Sequence, residues 1–195
     1  TASIAHEVRN PLGAISHATQ LLAESENLDF ADLKMTDIIQ RHSKRVNQII
    51  ENTLQLSRRS EPNIDNILIS PWLEKIIYDF EVQKHNKSEA QRIFVLSTNN
   101  DLSARFDPNQ MEQVMINLIE NAIHHGEKQF DNACVFISIG ETKDQNQVFI
   151  DVVDQGAGIS SENIEHLFEP FFTTESQGTG LGLYLSREIC EANQA

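Results

Sequence analysis

The sequence predicts an α+β chain: an N-terminal antiparallel helical hairpin, forming a four-helix bundle as a dimer, followed by an α/β sandwich. Three observations carry this. In residues 1–60 apolar side chains recur at alternating spacings of 3 and 4, the seam of a bundle helix. Glu61-Pro62-Asn63-Ile64-Asp65 then breaks the pattern, because a residue before proline is biased away from helix. Beyond it, short β-rich runs alternate with helical stretches that open on capping residues.

The first helix carries Ile4, Val8, Pro11, Ile15, Ala18 and Leu22 on its seam and runs to about Glu24. A polar turn spans residues 25–29. The second helix starts near Ala31 and reaches about Arg59, with Met35, Ile39, His42, Val46, Ile49, Thr53 and Leu56 on its seam. One such hairpin buries too little apolar surface to stand alone, so residues 1–60 are expected to form a homodimer. The second domain is expected over residues 66–195. Residues 66–70 suit a strand, and Ser70-Pro71 supplies an N-cap and first-turn proline for a helix to about Gln83. Residues 92–98 and 103–106 read as strands. Asp107-Pro108-Asn109-Gln110 is a capping box with Pro at the first helical position, opening a helix to about His125. Residues 135–140 and 147–153 form a hairpin around residues 143–146, and the last helix begins near Leu181. The strands together predict a sheet covered on one face by helices.

Net charge is −14 and unevenly placed. Of 29 acids and 15 bases, 7 and 7 fall in residues 1–60, leaving 22 and 8 beyond. Such an acidic second part argues against nucleic-acid binding, which wants a basic face. It would also repel a free anion, so an anionic ligand there needs a cation and local backbone donors. No apolar run approaches the roughly 20 residues of a membrane helix. Cys134 and Cys190 are isolated and suit buried thiols in a reducing compartment.

Four blocks carry chemistry. In His6-Glu7-Val8-Arg9-Asn10-Pro11, if Ile4 is a d position, His6 falls at f, farthest from the seam. An outward imidazole beside a carboxylate is useful only to a second domain or macromolecule that can reach it; a plain surface His is the bland alternative. In Asn117-Leu118-Ile119-Glu120-Asn121-Ala122 the two amides lie 4 apart, on one helix face. Amide oxygens are neutral hard ligands, suited to Mg²⁺ already paired with phosphate. In Asp154-Gln155-Gly156-Ala157-Gly158 a carboxylate at a strand end can accept the exocyclic amine of adenine. Its glycines permit close approach and positive φ. In Gly178-Thr179-Gly180-Leu181-Gly182-Leu183 the glycines lead into a helix whose first N–H groups offer a phosphate nest. No Gly-Lys-Ser/Thr follows, which excludes a Walker loop, and no strand and acid flank it as a dinucleotide fingerprint requires.

In this order the four blocks resemble the H, N, G1 and G2 boxes of bacterial sensor histidine kinases, and residues 168–174 look like their F box. The resemblance covers essentially the whole chain. Within the family, the H box and short lid look most like those of the nitrogen-regulation and pilus-regulation (PilS-like) sensor kinases. It implies an ATP-binding second domain, truncated at its C-terminal end because family members usually continue into further strands. It implies that His6 accepts a phosphoryl group from ATP, with Glu7 as base or polariser. It implies that Asn121 coordinates Mg²⁺ with Asn117 beside it. Nucleotide contacts would come from His124, Asp154, Gly156, Gly158, Thr173, Thr174, Gly178, Thr179, Gly180, Leu181 and Gly182. The implied partner is the Asp of a response-regulator receiver domain. Asn10, one turn beyond His6, would orient a water that dephosphorylates that partner. The core is expected in the cytoplasm, whether or not an upstream sensor region anchors the whole protein in the inner membrane.

Two departures remove positive charge near the phosphates. His124 stands where the family often has Lys or Arg, and Glu175 where a Lys commonly follows Thr-Thr. A metal site at His124-His125 is disfavoured because adjacent helical residues point different ways. Two rival readings are an ATP-gated scaffold without catalysis, which the intact motif residues disfavour, and an anti-sigma-type serine kinase, which would lack the His hairpin.

Overall fold

The computed structural model describes residues 2–25, 28–57, 61–84, 92–97, 101–131, 133–143, 147–175 and 178–195. Two compact units result: Thr1–Ser60 with His166–Leu185, and Glu61–Glu165 with Ser186–Ala195.

In the first unit, helix α1 (Ala2–Ala23) and helix α2 (Phe30–Ser57) form the expected hairpin. Pro11 lies inside α1 without ending it. A reciprocal cap that sequence reading passed over opens α2: the Asp32 N–H donates to Asp29 Oδ1 at 2.8 Å, and the Asp29 N–H to Asp32 Oδ2 at 3.4 Å. The expected helix end at Arg59 lies outside the described residues. The two helices bury small polar side chains, Thr19, Thr36 and Ser43. Thr19 and Thr36 return their hydroxyls to their own helices, at 2.7 Å from the Ile15 carbonyl and 2.8 Å from the Leu33 carbonyl. The apolar seams are not used inside the hairpin. Ile15, Leu22, Met35, Ile39 and Val46 stay between 39% and 60% exposed. The side chains of Ile4, Val8 and Leu56, also assigned to the seams, lie outside the described residues.

The second unit is built on strands β1 (Asp65–Leu68), β2 (Arg92–Ser97), β3 (Ser103–Phe106), β4 (Cys134–Glu141) and β5 (Val148–Val153). Its helices are α3 (Ile69–Lys84), α4 (Pro108–Glu127) and the short α5 (Ser161–Ile164); α6 (Gly182–Asn193) ends in it. The first strand is shorter than expected, and Ser70 is not an N-cap. Helix α3 begins at Ile69, whose N–H donates to the Leu102 carbonyl at 2.9 Å, so Ser70 and Pro71 sit within its first turn. Two sheets form among the described residues. β1 and β3 pair antiparallel, Asp65 opposite Phe106. β2 runs parallel to β4, Arg92 beside Cys134, and β4 pairs antiparallel with β5.

Alternation along β4 sends Val135, Ile137 and Ile139 into the core, where each is at most 1% exposed. There they join Leu73, Ile76 and Phe80 of α3 and Met115, Ile119 and Ile123 of α4. Ile150 and Val152 of β5 pack against the same cluster. The opposite sheet face carries a Phe94–Phe136 ring stack at 5.5 Å, with Leu96 and Val153 exposed. One helix-covered face is what the sequence predicts.

Candidate functional site

The α4 amide pair is anchored from its N-terminus. Asp107 caps the helix, its Oδ1 accepting from the N–H groups of Asn109 and Gln110 at 2.9 and 3.1 Å. Its Oδ2 accepts from the Asn63 N–H at 2.8 Å, tying down the proline-marked break. Burial pushes the Asp107 carboxyl up, but the N–H groups of Asn63, Gln110 and Asn109 outweigh it and hold it below its ordinary value. The return half of the capping box is taken over by a distant residue. The Asp107 N–H donates to Asn193 Oδ1 at 2.7 Å, and Asn193 Nδ2 donates to Gln110 Oε1 at 2.8 Å and to the Ile189 carbonyl at 2.9 Å.

Asn117 and Asn121 follow on α4, both half-buried. Asn117 Nδ2 donates to Ser186 Oγ of α6 at 2.9 Å. The Asn121 amide is hydrogen-bonded to no other described residue, which leaves its oxygen for a ligand. Among the described residues no group of three His, Cys, Asp or Glu could hold a metal ion. The half-buried amide pair is itself a neutral hard-ligand set, of a kind that suits a Mg²⁺ already paired with phosphate oxygens. His124 and His125 are exposed at the helix end, their rings edge-to-face at 5.4 Å, so the adjacent rings do meet.

Asp154 follows β5 and is exposed. Its Oδ1 accepts from the Gly156 N–H at 2.7 Å, a turn that fixes the carboxylate. Of the two glycines expected to need positive φ, only Gly158 has it, at 77°. Gly156 is needed for space: a Cβ there would lie 2.8 Å from Asp154 Oδ1 and 3.1 Å from His125 Cβ.

In the first unit, residues 166–185 hold the F-box-like and last glycine motifs. Phe168 and Phe171 are exposed, and Phe171 adopts φ 68°, uncommon for a bulky residue. Its N–H donates to the Gly180 carbonyl at 2.8 Å. Gly180 has φ 67°, and a Cβ there would run into the Phe171 carbonyl carbon. Thr173 Oγ1 accepts from the Glu175 N–H at 3.0 Å, and the Gly178 N–H donates to the Glu175 carbonyl at 3.2 Å, closing a short loop. Thr174 is exposed. Thr179 Oγ1 accepts from the Leu181 N–H at 3.4 Å, and buried Leu181 presents its carbonyl to the Leu185 N–H at 2.9 Å. Helix α6 starts at Gly182, one residue later than expected.

His6 and Glu7 belong to α1 by backbone, but their side chains lie outside the described residues. Asn10 is exposed one turn further along α1. Sequence reading missed Ser186 and Asn193, both buried. Their signal was available: two polar residues 7 apart share the helix face that carries Ile189 and Cys190, away from charged Arg187, Glu188 and Glu191. Burial pushes the Cys190 thiol up, so it is a neutral thiol at neutral pH.

Known proteins carry the same pattern. Residues 1–62 match the family model of the His Kinase A (phospho-acceptor) domain. Residues 106–194 match that of the histidine kinase-, DNA gyrase B- and HSP90-like ATPase. Sensor protein kinase PilS of Pseudomonas aeruginosa is 45% identical over 195 residues, covering 100% of this chain and 36% of its own length. Sporulation kinase E of Bacillus subtilis is 34% identical over 194 residues, covering 99% of this chain and 25% of its own length. The chain thus spans between 25% and 40% of the length of these and other curated relatives. Among solved structures, histidine kinase ThkA in complex with response regulator protein TrrA superposes with a TM-score of 0.66 at 26% identity, covering 100% of this chain and 55% of that one. The catalytic domain of ThkA alone gives 0.58 at 29% identity, covering 67% of this chain and 82% of that one. No helix among the described residues is long and apolar enough to cross a membrane.

Proposed function

The chain belongs to the sensor histidine kinases, and on that footing we propose that residues 107–183 bind Mg-ATP and that its γ-phosphoryl passes to His6. One observation carries the reading. A phosphoacceptor match containing His6-Glu7 and an ATPase match containing Asn117, Asn121 and Asp154 lie in one chain. Glu7 draws on the Nδ1 proton of His6 and raises nucleophilicity at Nε2. A P–N bond forms at Nε2, the β–γ P–O bond breaks, and ADP leaves. In this reading Asn121 with Asn117 would hold the metal edge and Asp154 would take the adenine amine, while the loop 178–182, Thr173-Thr174 and His124 would each supply nucleotide contacts. Mg²⁺ when bound neutralises phosphate charge at the Asn pair. Incubation with γ-labelled ATP is expected to give acid-labile, base-stable label that His6→Gln abolishes; label that survives this change sinks the assignment.

The receiving partner in this reading is the Asp of a response-regulator receiver domain, supported by the ThkA complex with a response regulator protein. Residues 1–60 form the dimerisation and phosphotransfer domain and residues 66–195 the ATP-binding domain. The exposed seam on α1 and α2 supports a homodimer, because two copies would cover each other's stripe. In this reading the core works in the cytoplasm, where ATP and a receiver domain would meet it. Dephosphorylation of the partner is assigned to Asn10, whose exposed amide lies one turn from His6 and can orient a water. Asn10→Ala should keep His6 labelling while slowing receiver dephosphorylation by up to about 100-fold, the order of loss that misplacing a reacting group costs. Unchanged dephosphorylation would leave Asn10 a helix residue before Pro11 and nothing more.

A further inference from the structure

We infer that Ser186 is a positioning residue for the Mg-ATP site, setting which way the Asn117 amide faces. The inference rests on the proposed ATP-binding reading and adds a residue to it. A side-chain amide has a donor end and an acceptor end of nearly equal shape, and only the acceptor end serves a cation. On an open surface Asn117 would present either. Here its Nδ2 is spent on Ser186 Oγ at 2.9 Å, so Oδ1 is the end left for metal and phosphate. Ser186 is itself only 6% exposed, so water competes poorly for its hydroxyl.

The hydroxyl is held in place from further along α6. Asn193, 7 residues on and so on the same helix face, fastens α6 to the start of α4 through the Asp107 N–H at 2.7 Å and Gln110 Oε1 at 2.8 Å. Helices α4 and α6 are therefore joined by two polar ties in opposite sequence order, which fixes both their axial register and an antiparallel course. Asn117 sits at one tie and the helix cap at the other. Neither tie bears on Asn121, whose oxygen is already free of protein partners among the described residues.

Threonine and valine have the same shape and differ by one hydroxyl, so Ser186→Thr and Ser186→Val isolate the hydrogen bond from the packing. Titration of Mg²⁺ at fixed ATP, read by His6 labelling, is expected to show the half-saturating Mg²⁺ unchanged in Ser186→Thr. In Ser186→Val it should rise about three- to tenfold, with similar melting temperatures for the two. In an Asn117→Ala background the difference between Thr and Val should vanish. Equal Mg²⁺ dependence of the two variants overturns the inference, as does a difference that persists without Asn117. If Ser186→Val fails to fold, Ser186→Ala read against Ser186→Thr gives the same two outcomes. A wild-type chain that binds no Mg-ATP and labels no His6 would instead overturn the proposed function.

Discussion

The two helices at the start of the chain and the α/β unit solve the problem of burial in opposite ways. Helices α1 and α2 meet through Thr19, Thr36 and Ser43 and turn their apolar stripe outward. They also enclose Asn47 Oδ1, a buried oxygen with no partner among the described residues. The α/β unit turns its apolar residues inward, with Leu73, Ile119 and Val135 fully buried, and spends its buried polar groups on one another. The difference teaches that one part covers its apolar residues with its own chain, whereas the other leaves an apolar stripe exposed, the surface the proposed homodimer would cover. A contact surface meant for a partner must stay apolar and exposed until the partner arrives.

A charge in the middle of the stripe attacks that difference most directly. Ile39→Glu should turn the dimer to monomer, raising its dissociation constant by at least ~100-fold. Each buried Ile contributes roughly 1.5–3 kcal/mol and the change strikes both copies. Sedimentation at micromolar concentration that still shows dimer would break the comparison. The reciprocal change lies in the α/β core. Ile137→Ala should destabilise that unit by about 2–5 kcal/mol, visible in its melting temperature, while the association state stays as it was. An effect on dimerisation would mean the two parts are not independent in this sense.

The smallest expected effect sharpens the account of satisfied polar groups. Asp107→Ala removes a cap and should cost about 0.5–2 kcal/mol at neutral pH. Because the folded carboxyl sits below its ordinary value, its contribution is present above an unfolded value of about 3.9 and is lost as pH falls through the folded one. Melting curves of wild type and variant should therefore begin to draw together as pH falls below about 4 and meet only below the folded value. A gap that stays constant down to strongly acid pH would show that shape, not charge, makes the cap.

What was legible in the sequence was local. The 3–4 spacing revealed both helices of the hairpin, Asp107-Pro108 placed the start of α4 to the residue, and the 4-residue step of Asn117 and Asn121 put both on one helix face. What depended on distant chain was hidden. The Ser70-Pro71 signal pointed to a cap, but a hydrogen bond from Ile69 to Leu102 starts the helix earlier. The capping box implied a reply from Gln110 to the Asp107 N–H, whereas that donor goes to Asn193, 86 residues away. Parallel pairing of β2 with β4 leaves no mark in either strand, since alternation reports which face is buried and not which neighbour lies alongside. The two glycines after Asp154 look alike in sequence; only geometry separates the one that turns, Gly158, from the one that makes room, Gly156.

That parallel pair also sets a clock. Cys134 reaches its place beside Arg92 only after the chain between them has looped back, and closing so long a loop is entropically costly before any ladder hydrogen bond repays it. The turn between α1 and α2 demands far less, because Asp29 and Asp32 cap the second helix within a few residues of the first. On these grounds the hairpin, which awaits its partner in the proposed dimer, is expected to form before the α/β unit during synthesis. Its outward stripe would then be on offer to other nascent chains while the α/β unit is still searching for its sheet, so that assembly of the proposed dimer would favour copies made on the same message.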